Sequence, residues 1–101
     1  MKPEIMRDDK TASVIMNDNV GHMEFAEAFK SLDSTADSLD EVLVDCKGLS
    51  VIRSEMIGQM VAFRKWAATK GIQASLLDMG PTVHQVLDIS NLLQLFDIKY
   101  S

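Results

Sequence analysis

One cysteine, two prolines and two histidines are all that this 101-residue chain holds of those residue types. A lone Cys46 cannot close an internal disulfide, which suits a reducing compartment. The two histidines, His22 and His84, have no metal-ligand spacing to Cys46 or to a carboxylate, so solvated or capping roles are expected. No glycine-rich phosphate motif occurs, neither GxGxxG nor a Walker sequence, so no cofactor is implied. No nucleophile–base pair can be assembled, which argues against an enzyme. Apolar runs stay far below the roughly 20 residues of a membrane-spanning helix, and the charged start lacks a signal-peptide core. A cytoplasmic protein is expected.

Positive charge is also short. Ten Lys and Arg stand against fifteen Asp and Glu, a net charge of −5. Nucleic-acid binding draws on Lys and Arg to release counterions, so this balance argues against it. What remains is ordinary globular material, 47% hydrophobic and 25% charged. That length fits one domain, spanning residues 1–101, with a core of its own.

The hydrophobic pattern alternates between strand and helix. Thr11 to Asn17 is short and β-rich, and Glu4 to Arg7 can pair with it. His22 to Leu32 places Phe25, Ala28, Phe29 and Leu32 at helical spacing, with Glu24 and Glu27 opposite. The polar interval Ser31 to Asp40 reads as a loop. Glu41 to Cys46 carries a Val-Leu-Val run typical of a strand covered on both faces. A loop, Lys47 to Arg53, leads to a helix over Ser54 to Thr69. There Ile57, Met60, Val61 and Arg64 form the expected buried ladder, Arg64 burying only its stem.

Gly71 is placed to end that helix in the left-handed conformation. Ala74 to Met79 reads as another short strand, and Pro81 suits the first position of a third helix. Val83, Val86, Leu87 and Ser90 line its expected inner face. Asn91 can close it, and Leu95 to Tyr100 completes the pattern as a last strand. Strands alternating with helices imply an α/β layered fold. We expect a mostly parallel sheet of four or five strands with three or four helices, joined by right-handed crossovers.

From Leu43 to Phe96 the order and its residues resemble the STAS domain, shared by anti-sigma factor antagonists and sulphate transporters. The antagonists are the closer likeness. Their motif has the form Ile-Asp-Ser-Ser-Gly-Leu-Gly, after a strand ending in Asp and a short loop. Here Leu43-Val44-Asp45-Cys46 and Gly48-Leu49-Ser50-Val51 precede Ile52-Arg53-Ser54-Glu55-Met56-Ile57-Gly58. Lys70-Gly71-Ile72, Pro81-Thr82-Val83, Val86 to Leu92 and Leu95-Phe96 continue the family's course. Asp18 corresponds to an acidic residue that the family often places near its partner-binding surface.

The resemblance implies a non-enzymatic, cytoplasmic interaction module of bacterial regulation. Its implied partner is a GHKL-type serine kinase anti-sigma factor or a related switch protein, and its implied state a monomer or weak homodimer. Arg53, Ser54, Glu55, Met56 and Gly58 would form the partner-binding and regulatory segment. The family commonly phosphorylates the second serine of its pair, and that position here is Glu55. Arg53 and Met56 also depart from the pattern, leaving Ser54 and Gly58 as the retained residues. Ser54 is the substitute phosphosite to weigh, and Ser50 has no better claim.

Two readings of Glu55 stand side by side. It supplies a fixed negative charge where the family places phosphoserine, or it is simply an acid favoured at a helix start. Ser54 beside it would then be an ordinary N-cap, worth about 1 kcal/mol over alanine. The rival function is an accessory STAS subunit of a membrane transporter ATPase. Three other features have plainer expectations. Cys46 is read as a buried structural thiol, and Trp66 as either a cover for the sheet edge or a partner anchor. Met56, next to Glu55, is a candidate contact residue. The pair Asp8-Asp9 resembles that of a response-regulator receiver, whose five-fold βα repeat this chain is too short to form.

Overall fold

The computed structural model describes residues 1–101. The β-rich segments form one five-stranded sheet: β1 (Glu4–Asp8), β2 (Thr11–Asn17), β3 (Glu41–Gly48), β4 (Gln73–Leu77) and β5 (Asp97–Lys99). Spatial order equals sequence order. β1 pairs antiparallel with β2 through a tight turn in which Asp9 takes a positive φ of 53°. The remaining neighbours are parallel, as expected. Helices α1 (His22–Ser31), α2 (Ser54–Lys70) and α3 (Pro81–Ile89) make the three crossovers. Right-handed connections stepping one strand at a time in one direction send every helix to the same face. The result has two layers.

That geometry corrects the reading of β3 as covered on both sides. Its Val42, Val44 and Cys46 are fully buried, while Glu41, Leu43 and Asp45 on the other face are only partly covered. β3 also runs two residues further than expected, to Gly48. Gly48 pairs with Asn17 across a register shift, and a Cβ there would lie 2.5 Å from the Met16 carbonyl oxygen. Only glycine lets the two backbones approach so closely.

The buried side of α2 differs as well. Met56, Met60, Phe63 and Ala67 face the core, whereas Ile57, Val61 and Arg64 are half-covered. Both stripes have helical spacing, so periodicity alone does not choose between them. The rotation is set by Phe63, whose ring meets Phe25 and Phe29 of α1 at centroid distances of 5.9 and 5.8 Å. It stacks on Phe96 from the other side at 6.2 Å. The Arg64 Nε–H donates to the Leu95 carbonyl, so its head is also held.

The polar interval after α1 is ordered rather than an open loop. Asp33–Ser38 forms a kinked 3-10 turn, with the Ser31, Thr35 and Ser38 hydroxyls donating to carbonyls three residues back. Local bonds of this kind let Ser and Thr organise a turn in place of a helix. Arg7 adds donors to Thr35 and Ser38. Trp66 packs on Phe29 and Phe63, and its indole N–H donates to Asp33 at 2.9 Å. It thus seals the α1–α2 seam instead of the sheet edge.

Near the end of the chain the boundaries tighten. β4 starts one residue earlier than expected and ends at Leu77, and β5 is confined to three residues after a 3-10 turn at Leu93–Leu95. Gly71 and Asn91 adopt the left-handed conformation, as expected. Ser90 is exposed, so the inner face of α3 ends at Leu87.

Candidate functional site

Parallel strands place their carboxyl ends, and the helix N-termini that follow, at one end of the sheet. Ligands and partners of open α/β sheets are usually met there. At this end the β2–α1 and β3–α2 loops border an open cavity of about 350 Å³. Asn17, Asp18 and His22 line one side; Arg53, Glu55 and Met56 line the other. Leu49 and Ile52 anchor the second loop in the core, leaving Val51 between them 44% exposed.

The two loops are tied together. The Ser50 N–H donates to Asp18 Oδ1 at 3.0 Å, and the Ser50 hydroxyl donates to Oδ2 at 2.6 Å. These donors hold the Asp18 carboxyl below its ordinary value, the hydroxyl contributing most, with the Arg53 charge adding to the effect. The likeness placed Asp18 near this surface. Its bond to Ser50 joins residues 32 apart and had no local signal.

The motif residues separate into two groups. Arg53, Ser54, Glu55 and Gly58 are exposed on the first turns of α2. Arg53 is the N-cap, with extended φ and ψ of −100° and 164°, and it makes no side-chain cap bond. Ser54 is therefore already the first helical residue, which corrects its reading as the N-cap. Its hydroxyl donates instead to Glu55 Oε1 at 3.2 Å. Glu55 lies in the first turn, where unpaired backbone N–H groups and the helix dipole favour an anion.

Met56 belongs to the other group. It is 7% exposed and joins the core, so it borders the cavity from beneath and does not project outward. Gly58 has open space around its Cβ direction, so no close approach requires glycine there.

The remaining candidates fall outside this end or are inert. Cys46 is buried, and burial first, then the Asp45 and Asp78 charges, push its thiol up to about 12. A thiol so far from ionisation is not a nucleophile. No group of three or more His, Cys, Asp or Glu side chains is arranged to hold a metal. No helix is long and apolar enough to cross a membrane.

A sequential, mostly parallel sheet with all helices on one face, and an exposed acid at the start of α2, defines a small two-layer α/β domain. Comparison with known proteins makes the class specific. Residues 10–101 match the STAS domain model. A STAS-domain containing protein of Pseudomonas aeruginosa (strain UCBPP-PA14) is 30% identical over 78 residues, covering 77% of this chain and 74% of that protein. The chain belongs to the STAS domain family.

Solved structures agree on the fold. A serine-to-glutamate variant of RsbS from Moorella thermoacetica superposes with a TM-score of 0.84 at 16% identity, covering 100% of this chain and 88% of that one. The anti-sigma factor antagonist SpoIIAA in its unphosphorylated form gives 0.72 at 19% identity, covering 95% and 86%. The phosphorylated form of the Bacillus SpoIIAA gives 0.68 at 18%, covering 95% and 89%.

Proposed function

We propose that this chain is a non-catalytic docking module of a bacterial regulatory switch, acting as an anti-sigma factor antagonist. Its partner would be a GHKL-type serine kinase anti-sigma factor or a related regulator in the cytoplasm. The contact surface is the start of α2, with Arg53, Ser54, Glu55 and Gly58 outward, together with the loop before it. Met56 shapes the surface from beneath.

The observation that carries this reading is Glu55. It stands exposed in the first turn of α2, and on the resemblance to the family motif it takes the place of the second serine. Phosphoserine brings about −1.5 to −2 charges there at neutral pH, and glutamate brings one permanently. Glu55 has no hydroxyl to accept a phosphate. The chain would therefore sit in a state like the phosphorylated one and bind the partner form that tolerates this charge. That RsbS keeps this fold with a serine exchanged for glutamate, and SpoIIAA keeps it with phosphate, makes an acidic side chain compatible with the architecture.

Affinity capture from native lysate, with wild type, Glu55→Ser and Glu55→Ala in parallel, tests the reading. We expect a kinase-fold partner, bound more tightly by the serine variant, which itself becomes phosphorylated. Equal capture by all three of a transporter ATPase would overturn it and leave Glu55 as a helix-start acid.

A further inference from the structure

Because every helix packs on one face of the sheet, the other face has no layer over it. Strand pairing places Met6 and Leu43 in one row of that face, and Ile15 and Leu77 in the next. They make an apolar zigzag across β1 to β4, about 15 Å long at roughly 4.8 Å per strand, with Ser13, Asp45 and Ser75 interleaved in the same rows. Met6 is 57% exposed, and the other three are only partly covered.

The charges around this zigzag are nearly all of one sign. Glu4, Asp8, Glu41, Asp45 and Asp97 share the face by register, against Lys99 among the paired residues. Lys99 is already used, its ammonium 2.6 Å from Glu41 Oε2. Glu4, Asp8, Asp45 and Asp97 are in no ion pair. Of the other two basic strand residues, Lys47 at the end of β3 stands 3.8 Å from Asp78 Oδ2, and Arg7 lies on the helix side and donates to Thr35 and Ser38.

We propose that this uncovered face docks a basic amphipathic helix of a partner protein. The choice of occupant follows from charge and shape. A second copy laid face to face would set four unpaired carboxylates against four more, with only the already engaged Lys47 and Lys99 as nearby cations. A helix with an apolar stripe flanked by Lys and Arg answers both the zigzag and its acidic surround. A span of about 15 Å takes about ten helical residues at 1.5 Å each. The surface is separate from the start of α2, so it stands independently of the proposed switch.

The test uses the full chain with 13C-labelled Met, Ile and Leu methyl groups. The probe is a synthetic 15-residue helical peptide, Leu along one face and Lys and Arg on its flanks. We expect saturable shifts at the methyls of Met6, Ile15, Leu43 and Leu77. Affinity should fall at least tenfold in the double variant E4K/D97K, whose circular dichroism melt should match wild type. It should also fall severalfold between 0.05 and 0.5 M NaCl as the charges are screened. No saturable binding, shifts confined to other methyls, equal binding of a peptide with Glu on its flanks, or a homodimer closing this face in sedimentation would overturn the proposal.

Discussion

Asp18 and Ser50, 32 residues apart, are joined by two hydrogen bonds that fasten the β2–α1 loop to the β3–α2 loop. The start of α2 is thereby positioned by a carboxylate from a different crossover. The docking proposed for this surface would gain from such fixing, because less loop freedom is lost when a partner binds.

Removing that carboxylate should loosen the site and spare the core. In Asp18→Ala, hydrogen exchange at the Ser50 and Val51 amides should speed up, while the amides of β3 and β4 keep wild-type protection. Unchanged exchange at Ser50 would show that Leu49 and Ile52 alone hold the loop.

Acid should destabilise the fold through a few carboxylates in particular. Asp18 is held low by the Ser50 hydroxyl and N–H, and Asp33 by the Trp66 indole and Lys70. Burial raises Glu41, but bonds from Lys99 and Ser75 reverse this and leave it below its ordinary value. An acid depressed in the native state is protonated first in the unfolded chain as pH falls. Its stabilisation is therefore complete above the ordinary carboxylate range, near pH 4, and is lost as pH drops through the lower native values. The melting temperature should hold between pH 7 and 5 and fall below 4. Asp18→Asn combined with Asp33→Asn should flatten that fall.

Two glycines should respond oppositely to alanine. Gly58 is an exposed interior helical position with open space, so Gly58→Ala should stabilise by about 0.5–1 kcal/mol. Gly48→Ala sets a methyl against the Met16 carbonyl and should cost about 1–3 kcal/mol. Urea denaturation of both variants reads the two signs directly.

Cys46 should be silent until the protein opens. Its thiol is buried and pushed up to about 12, so it should resist a thiol reagent such as DTNB at pH 8. In mild denaturant its labelling rate should follow global unfolding. Rapid labelling in buffer would mean that β3 opens locally.

Alternation and helical spacing are local properties, and they determine the elements. Thr11 to Asn17, Glu41 onward and the start of α2 at Ser54 all appear where the pattern places them. Gly71 and Asn91 end their helices for reasons of backbone conformation that a single residue carries. Motif spacing likewise brings Arg53, Ser54, Glu55 and Gly58 together on one helix start, because they are neighbours in the chain. Relations between distant segments have no such local trace. The Val-Leu-Val run of β3 is the same whether one or both faces are covered. Three right-handed crossovers stepping in one direction leave Leu43 and Asp45 under no helix. Two apolar stripes of α2 compete at equal spacing, and contact with Phe25, Phe29 and Phe96 turns Phe63 and Met56 inward. The bond from Ser50 to Asp18, and the need for glycine at position 48, exist only once β2 and β3 lie side by side. Side-chain chemistry and period choose the elements; packing of one element on another chooses which faces stay free to act.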